Sequence, residues 1–193
     1  MTAYSLPISE SYWVEPGRFL AGEHPAKFEV ESTRKRLDAL LEAGFDTFID
    51  LTQSGEAFPY TSILLEQAKA YEVKAKHHRF AIGDFGLPSP EQMNKILDTL
   101  EDGLQSGRKI YLHCWGGIGR TGTTVGCYLV RQGKTPEEAL DQLSAWWQGV
   151  PKSQVHPRSP ETQEQVNFIR SWAQYDEKLQ STHQKSRPKL TQP

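Results

Sequence analysis

The chain has 193 residues, 37% of them hydrophobic and 24% charged, with a formal net charge of −2. This is enough for one domain with a sizeable core; it excludes a disordered chain and removes the general electrostatic case for nucleic-acid binding. No run of about 18 apolar residues is present, so no membrane span is expected. The opening "MTAYSLPISESYW" lacks a signal-peptide pattern, which makes the cytoplasm the expected location. Two cysteines, Cys114 and Cys127, make no disulfide framework. Without a C-x-x-C pair or tight His/Cys cluster, no structural metal is expected.

Residues 18–22 read as a first short strand. A helix over 31–44 places Leu37, Leu40 and Leu41 on one face and stops at Gly44. Residues 46–52 form a strand, 60–72 a helix and 75–82 another strand, entered by the basic run "KAKHHR" (74–79), which reads as a solvated strand entrance. The loop "GDFGLPSP" follows. Ser89, Pro90 and Gln92 then mark a helix start, with Ser as cap, Pro at the first helical position and Gln three after the cap; this helix runs to about Gln105. Residues 109–114 are an apolar strand, and 121–133 a helix capped by Gly133. Thr135, Pro136 and Glu138 repeat the capping signature for a helix over 135–147. The segment 159–175 does so more loosely from Ser159. Strands alternating with helices predict an α/β fold with a mostly parallel central sheet flanked by helices. Residues 1–175 are read as a single domain and 176–193 as a polar, flexible tail.

In open α/β sheets, sites form beyond the carboxyl ends of the strands. The qualifying loops follow Thr52, Ile82 and Cys114. "HCWGGIGRTG" (113–122) has two readings. Gly117, Gly119 and Gly122 spell G-x-G-x-x-G, the dinucleotide turn, but that turn needs an acid about 20 positions on at a strand end. Glu137 and Glu138 lie near that distance inside a helix start. The second reading is C-x5-R. Gly116, Gly117 and Gly119 let successive N–H groups curl inward, and the following helix presents its positive end. Cys114, whose free thiol would titrate near pH 8.5, is then favoured as a thiolate. Arg120 supplies a planar fork for two phosphate oxygens. Thr121 is placed to hydrogen-bond the sulfur, and His113 to orient the loop rather than act as a base.

"HCWGGIGRTG" resembles the H-C-x-x-G-x-x-R-[ST]-G signature of the cysteine-based protein tyrosine phosphatase superfamily. The resemblance covers roughly residues 12–172 and includes the opening segment "WVEPGRFLAGEHP". It implies a phosphate-binding loop of Trp115, Gly116, Gly117, Ile118, Gly119 and Arg120, and a general acid on a mobile loop. Asp84, in "AIGDFGLPSP" 30 residues before Cys114, fills that place, and its short D-x-G-x-P form resembles the compact dual-specificity branch. "ETQEQ" (161–165) resembles the family's Q-T-x-x-Q segment, which places the hydrolytic water. Gln165 matches, while Glu161 stands where the family has Gln.

The expectation is a single phosphatase catalytic domain, a metal-independent phosphomonoesterase. Cys114 attacks phosphorus, Arg120 binds phosphate, and Asp84 serves as acid and then base. No cofactor is expected; the partner is a phosphoprotein or small phosphoester, and the chain a monomer. No K-N-R-Y-type segment deepens the pocket, which suggests broad specificity. "WGGIG" carries no lysine, which argues mildly against inositol phosphates; a phosphoinositide or other small-phosphoester phosphatase is the alternative. Two other classes stay in view: a phosphate reader without turnover, and a nicotinamide- or flavin-binding oxidoreductase. Cys127 reads as core, with a resolving thiol as the alternative, and Trp146 and Trp147 as packing. Glu56, Phe58 and Tyr60 read as a surface loop, with substrate contact as the alternative.

Overall fold

Alternation along the strands sets the architecture of the computed structural model, which describes residues 5–186. Five strands, Ser11–Glu15 (β1), Phe19–Gly22 (β2), Thr47–Asp50 (β3), Lys76–Arg79 (β4) and Ile110–His113 (β5), form one sheet in the order β1-β2-β5-β3-β4. β1 runs antiparallel to β2 and every other pair is parallel. Tyr111 of β5 packs with Leu20 and Phe48 against one helical layer, which presents Leu37, Leu40 and Leu64. Its neighbours Ile110 and Leu112 pack with Phe19 and Ile49 against the opposite layer, which presents Leu97, Val125, Ile169 and Trp172. A sheet covered on both faces needs apolar residues at nearly every position, which is why the central strands carry unbroken apolar runs.

The first layer consists of Val30–Glu42 (α1) and Thr61–Ala70 (α2); the second of Pro90–Gln105 (α3), Gly119–Arg131 (α4), Pro136–Gln148 (α5) and Gln163–Ser186 (α6). The expected caps form. Ser89 Oγ accepts the Gln92 N–H at 3.2 Å, and Thr135 and Glu138 cap each other's backbone. The mostly parallel sheet and the flanking helices agree with the expectation.

Two elements differ from it. β1 was not expected; its signal was Pro16-Gly17, a turn dipeptide in which Gly17 takes φ +75° and Arg18 N–H donates to Glu15 O at 3.0 Å. The last helix does not start from Ser159. Thr162 Oγ1 accepts from Gln165 N at 3.2 Å while Gln165 Oε1 accepts from Thr162 N at 3.2 Å, a reciprocal cap three residues later. That helix also continues past Tyr175 to Ser186, because Asp176 is buried and accepts from Arg131 Nε at 3.0 Å and Nη2 at 2.5 Å. A polar stretch without an apolar stripe can thus prolong a helix already formed and anchored. Residues 1–4 of the expected domain and 187–193 of the expected tail lie outside the described residues.

Candidate active site

β5 ends at His113, and the chain turns through Cys114 to Ile118 into α4. Cys114 is a free thiol, 2% exposed, and its Sγ accepts the Gly117 N–H at 3.2 Å. The loop is pressed against the end of β2. A Cβ on Gly117 would stand 2.5 Å from Gly22 C and 2.6 Å from Glu23 N, both backbone, and its φ is +77°. Only glycine satisfies both demands. Ser159 Oγ donates to Ile118 O at 2.9 Å and ties the loop to the segment before α6. α4 begins at Gly119, two residues before the expected start, so Arg120 lies in its first turn, where the helix end is positive.

Arg120 is almost fully buried, and its fork is held by acids. Nη1 donates to Glu56 Oε2 at 2.8 Å and to Ile82 O at 3.0 Å; Nη2 donates to Glu56 Oε1 at 2.5 Å and to Asp84 Oδ1 at 3.0 Å. The structure therefore brings Asp84, from 36 positions away, to Arg120 on the loop that carries Cys114. Asp84 sits in a turn closed by Gly86 N–H to Gly83 O at 2.9 Å, and its side chain is 60% exposed. Phe85 beside it holds φ +55° and is itself exposed. A bulky residue in the left-handed region carries strain, which is often found at functional turns.

His113 is fully buried. Its Nδ1 faces Cys114 O at 3.1 Å and its Nε2 faces Tyr60 Oη at 2.6 Å. A carbonyl only accepts, so Nδ1 carries the proton and Nε2 accepts from Tyr60. Burial pushes the imidazole pKa down to about 3 despite the nearby Asp50. His113 is neutral and braces the loop.

Three readings need correction. Tyr60 is a buried brace rather than a surface-loop residue, and Glu56, from the same segment, grips Arg120. "KAKHHR" is more than a solvated entrance: His77 Nε2 lies 3.2 Å and Arg79 Nη2 2.8 Å from Oδ2 of fully buried Asp50, which underlies His113. Burial opposes Asp50 ionisation, but the bonds from His77, Thr52 and Arg79 hold its carboxyl far below the usual range. Thr121 Oγ1 is buried without a hydrogen-bond partner, so the expected bond to sulfur is not made. Gln165 accepts the Glu161 and Thr162 N–H groups at its amide oxygen, and its amide lies against Gly119 together with the Glu161 carboxyl. Burial and the charge of Asp84 raise the Glu161 pKa. Cys127 is wholly buried, and burial pushes its thiol far up, as a core residue requires.

The dinucleotide reading fails on topology. β5 is the last strand among the described residues, so no strand end follows α4 to carry a ribose-binding acid. Residues 9–186 match the family model described as "Swiss Army Knife protein, DSP-PTPase phosphatase domain". The chain belongs to this family. It is a cysteine-based phosphatase domain of the dual-specificity-like kind. The chain is 35% identical to cyclin-dependent kinase inhibitor 3 of Sus scrofa over 101 residues, 51% of this chain and 46% of that protein. With dual specificity protein phosphatase CDC14B of Mus musculus it shares 30% over 132 residues, 62% of this chain and 24% of that one. It thus spans less than half the length of these curated relatives. Among solved structures, Tk-PTP in the active form superposes with a TM-score of 0.61 at 27% identity, over 86% of this chain and 97% of the other.

Proposed function

We propose that this phosphatase domain hydrolyses phosphomonoesters of proteins through a cysteinyl-phosphate. The observation that carries the reading is the convergence on one loop of a free Sγ, the Arg120 fork and the Asp84 carboxyl. The substrate phosphate sits in the donor-lined loop, where Arg120 and the loop amides hold its oxygens. Sulfur attacks phosphorus in line, the bond to the leaving oxygen breaks, and Asp84 protonates that oxygen. Water then attacks phosphorus, the electron pair returns to sulfur, and the water proton passes to the Asp84 carboxylate. His113, being neutral, moves no proton. Two unpaired cysteines and a thiol nucleophile suit a reducing compartment, which supports a cytoplasmic site of action.

The test is hydrolysis of p-nitrophenyl phosphate in the presence of a chelator. The parent chain turns the ester over and yields an acid-quenched, cysteine-linked phosphate, whereas Cys114→Ser does neither. Equal activity in Cys114→Ser would overturn the reading.

A further inference from the structure

Beside the phosphate loop lies a cleft of about 730 Å³, bordered by Asp84 and Trp115 and continuing over Lys27, Phe28, Phe58 and Lys152. One wall is built on Glu23, next to the end of β2, whose side chain is only 5% exposed. Lys27 Nζ and Arg36 Nη2 both donate to its Oε1 at 2.7 Å, and Lys152 Nζ donates to its Oε2 at 2.6 Å. Three cations thus surround one carboxylate, and one of them would have sufficed to pair it. Burial would raise the Glu23 pKa, but the bonds from Lys152 and Lys27 and the charges of Lys152 and Arg36 lower it, so Glu23 stays ionised and holds the cations in place. Lys152 also donates to Gly116 O at 3.1 Å, which fixes one ammonium to the phosphate loop itself. Lys152 thereby spends two of its three ammonium hydrogens and Lys27 one, so donors are left over at both residues for a ligand. The two lysines supply, from distant parts of the chain, the positive charge that "WGGIG" lacks.

Charge is segregated along the loop. Lys152 meets it at Gly116, whereas the Glu161 carboxyl lies against Gly119. A second negative group on a bound phosphoester is therefore drawn to the Lys27–Lys152 side and repelled from the other. Much of the remaining lining is apolar: Ala26, Phe28, Ala57, Phe58 and Trp115, with Phe28 93% exposed. Such walls offer no partners to the hydroxyls of an inositol ring but accept side-chain stems and a peptide's apolar groups. We propose that this cleft is a second anion subsite, built to take an acidic side chain flanking the phosphorylated residue of a peptide substrate. The proposal rests on the phosphatase reading for the scissile phosphate alone.

The experiment compares two phosphotyrosyl peptides that are identical except that the flanking glutamates of one are glutamines in the other. The parent chain is expected to prefer the acidic peptide in kcat/KM by roughly fivefold, the range of one partly exposed ion pair. The preference should shrink as salt is raised, and the ratio should fall towards one in Lys27→Met, where Glu23 keeps two cations. A ratio near one in the parent chain, or an unchanged ratio in Lys27→Met, overturns the subsite. Faster turnover of an inositol bisphosphate than of the acidic peptide overturns the choice of a peptide. The same two peptides are also titrated into Cys114→Ser, and the ratio of their Kd values reads the subsite without turnover. A failed phosphatase reading and a failed subsite are thus told apart.

Discussion

Arg120 is the residue on which the site turns, because its terminal N–H groups are all engaged before any substrate arrives. Glu56 takes one hydrogen from each terminal nitrogen, Ile82 O takes the second from Nη1, and Asp84 takes the second from Nη2. Glu56 and Ile82 fix the plane of the fork. On the proposed mechanism, Asp84, being mostly exposed, holds the position that a phosphate oxygen would claim; an arriving phosphate would exchange with it and free the carboxyl to meet the leaving group. Glu56 is then a positioning residue acting through Arg120. Glu56→Ala should lower kcat/KM by roughly ten- to a hundredfold. It should weaken competitive inhibition by inorganic phosphate in parallel, while Glu56→Gln, which keeps one acceptor, recovers part of both. Phosphate inhibition as strong in Glu56→Ala as in the parent chain would show that the fork is held without it. Cys114 and Arg120 were legible because the seven residues 114–120 carry both. Glu56 was not, because it reaches Arg120 from 64 positions away and its loop reads as any polar surface loop.

At the scale of elements, β5 joins the two helical layers. Tyr111 faces one core and Leu112 the other, and His113 closes the strand with bonds to both Tyr60 and the Cys114 carbonyl. Strands, helices and caps were readable from period and punctuation. The β1 hairpin and the length of α6 were not, because each depends on a partner elsewhere: β2 for β1, and Arg131 for Asp176; the start of α6 was misplaced because the Thr162–Gln165 cap lies three residues beyond the Ser159 signal. The bracing of His113 has a consequence for acid stability. Unfolded, it titrates near 6.5; folded, burial brings it to about 3. Between these values the unfolded chain binds one more proton, so stability falls as pH drops from 6.5 towards 3, by an amount on the order of a few kcal/mol. Asp50, held low, adds its own loss only below its unfolded value of 3.8, whereas His24, lowered chiefly by burial, acts with His113 in the same window. Urea midpoints measured from pH 7 to pH 4 should therefore decline in the parent chain and decline less in His113→Asn. The same slope in both would remove His113 as the cause.

At the scale of the whole molecule, the catalytic loop belongs to neither core alone. Cys114 and Ile118 pack among the residues of the α3–α6 side, but His113, which sets the loop, is braced by Tyr60 from the α1–α2 side. The sheet between them is only five strands wide, and β5, its middle strand, is hydrogen-bonded to β2 and β3. Loss of packing under α1 and α2 should therefore release the site together with the fold. Leu40 tests this, since it is completely buried in the α1–α2 core and has no part in the chemistry. Leu40→Ala should cost about 2–5 kcal/mol, the range for a buried leucine truncated in a core that relaxes only partly. If the two cores form one cooperative unit, near-ultraviolet dichroism, far-ultraviolet dichroism and residual phosphatase activity lose their signals at one shared, lowered temperature. Activity surviving a first transition that removes the α1–α2 aromatic signal would mean that the α3–α6 layer carries the loop by itself, and that the Tyr60–His113 bond is dispensable to it.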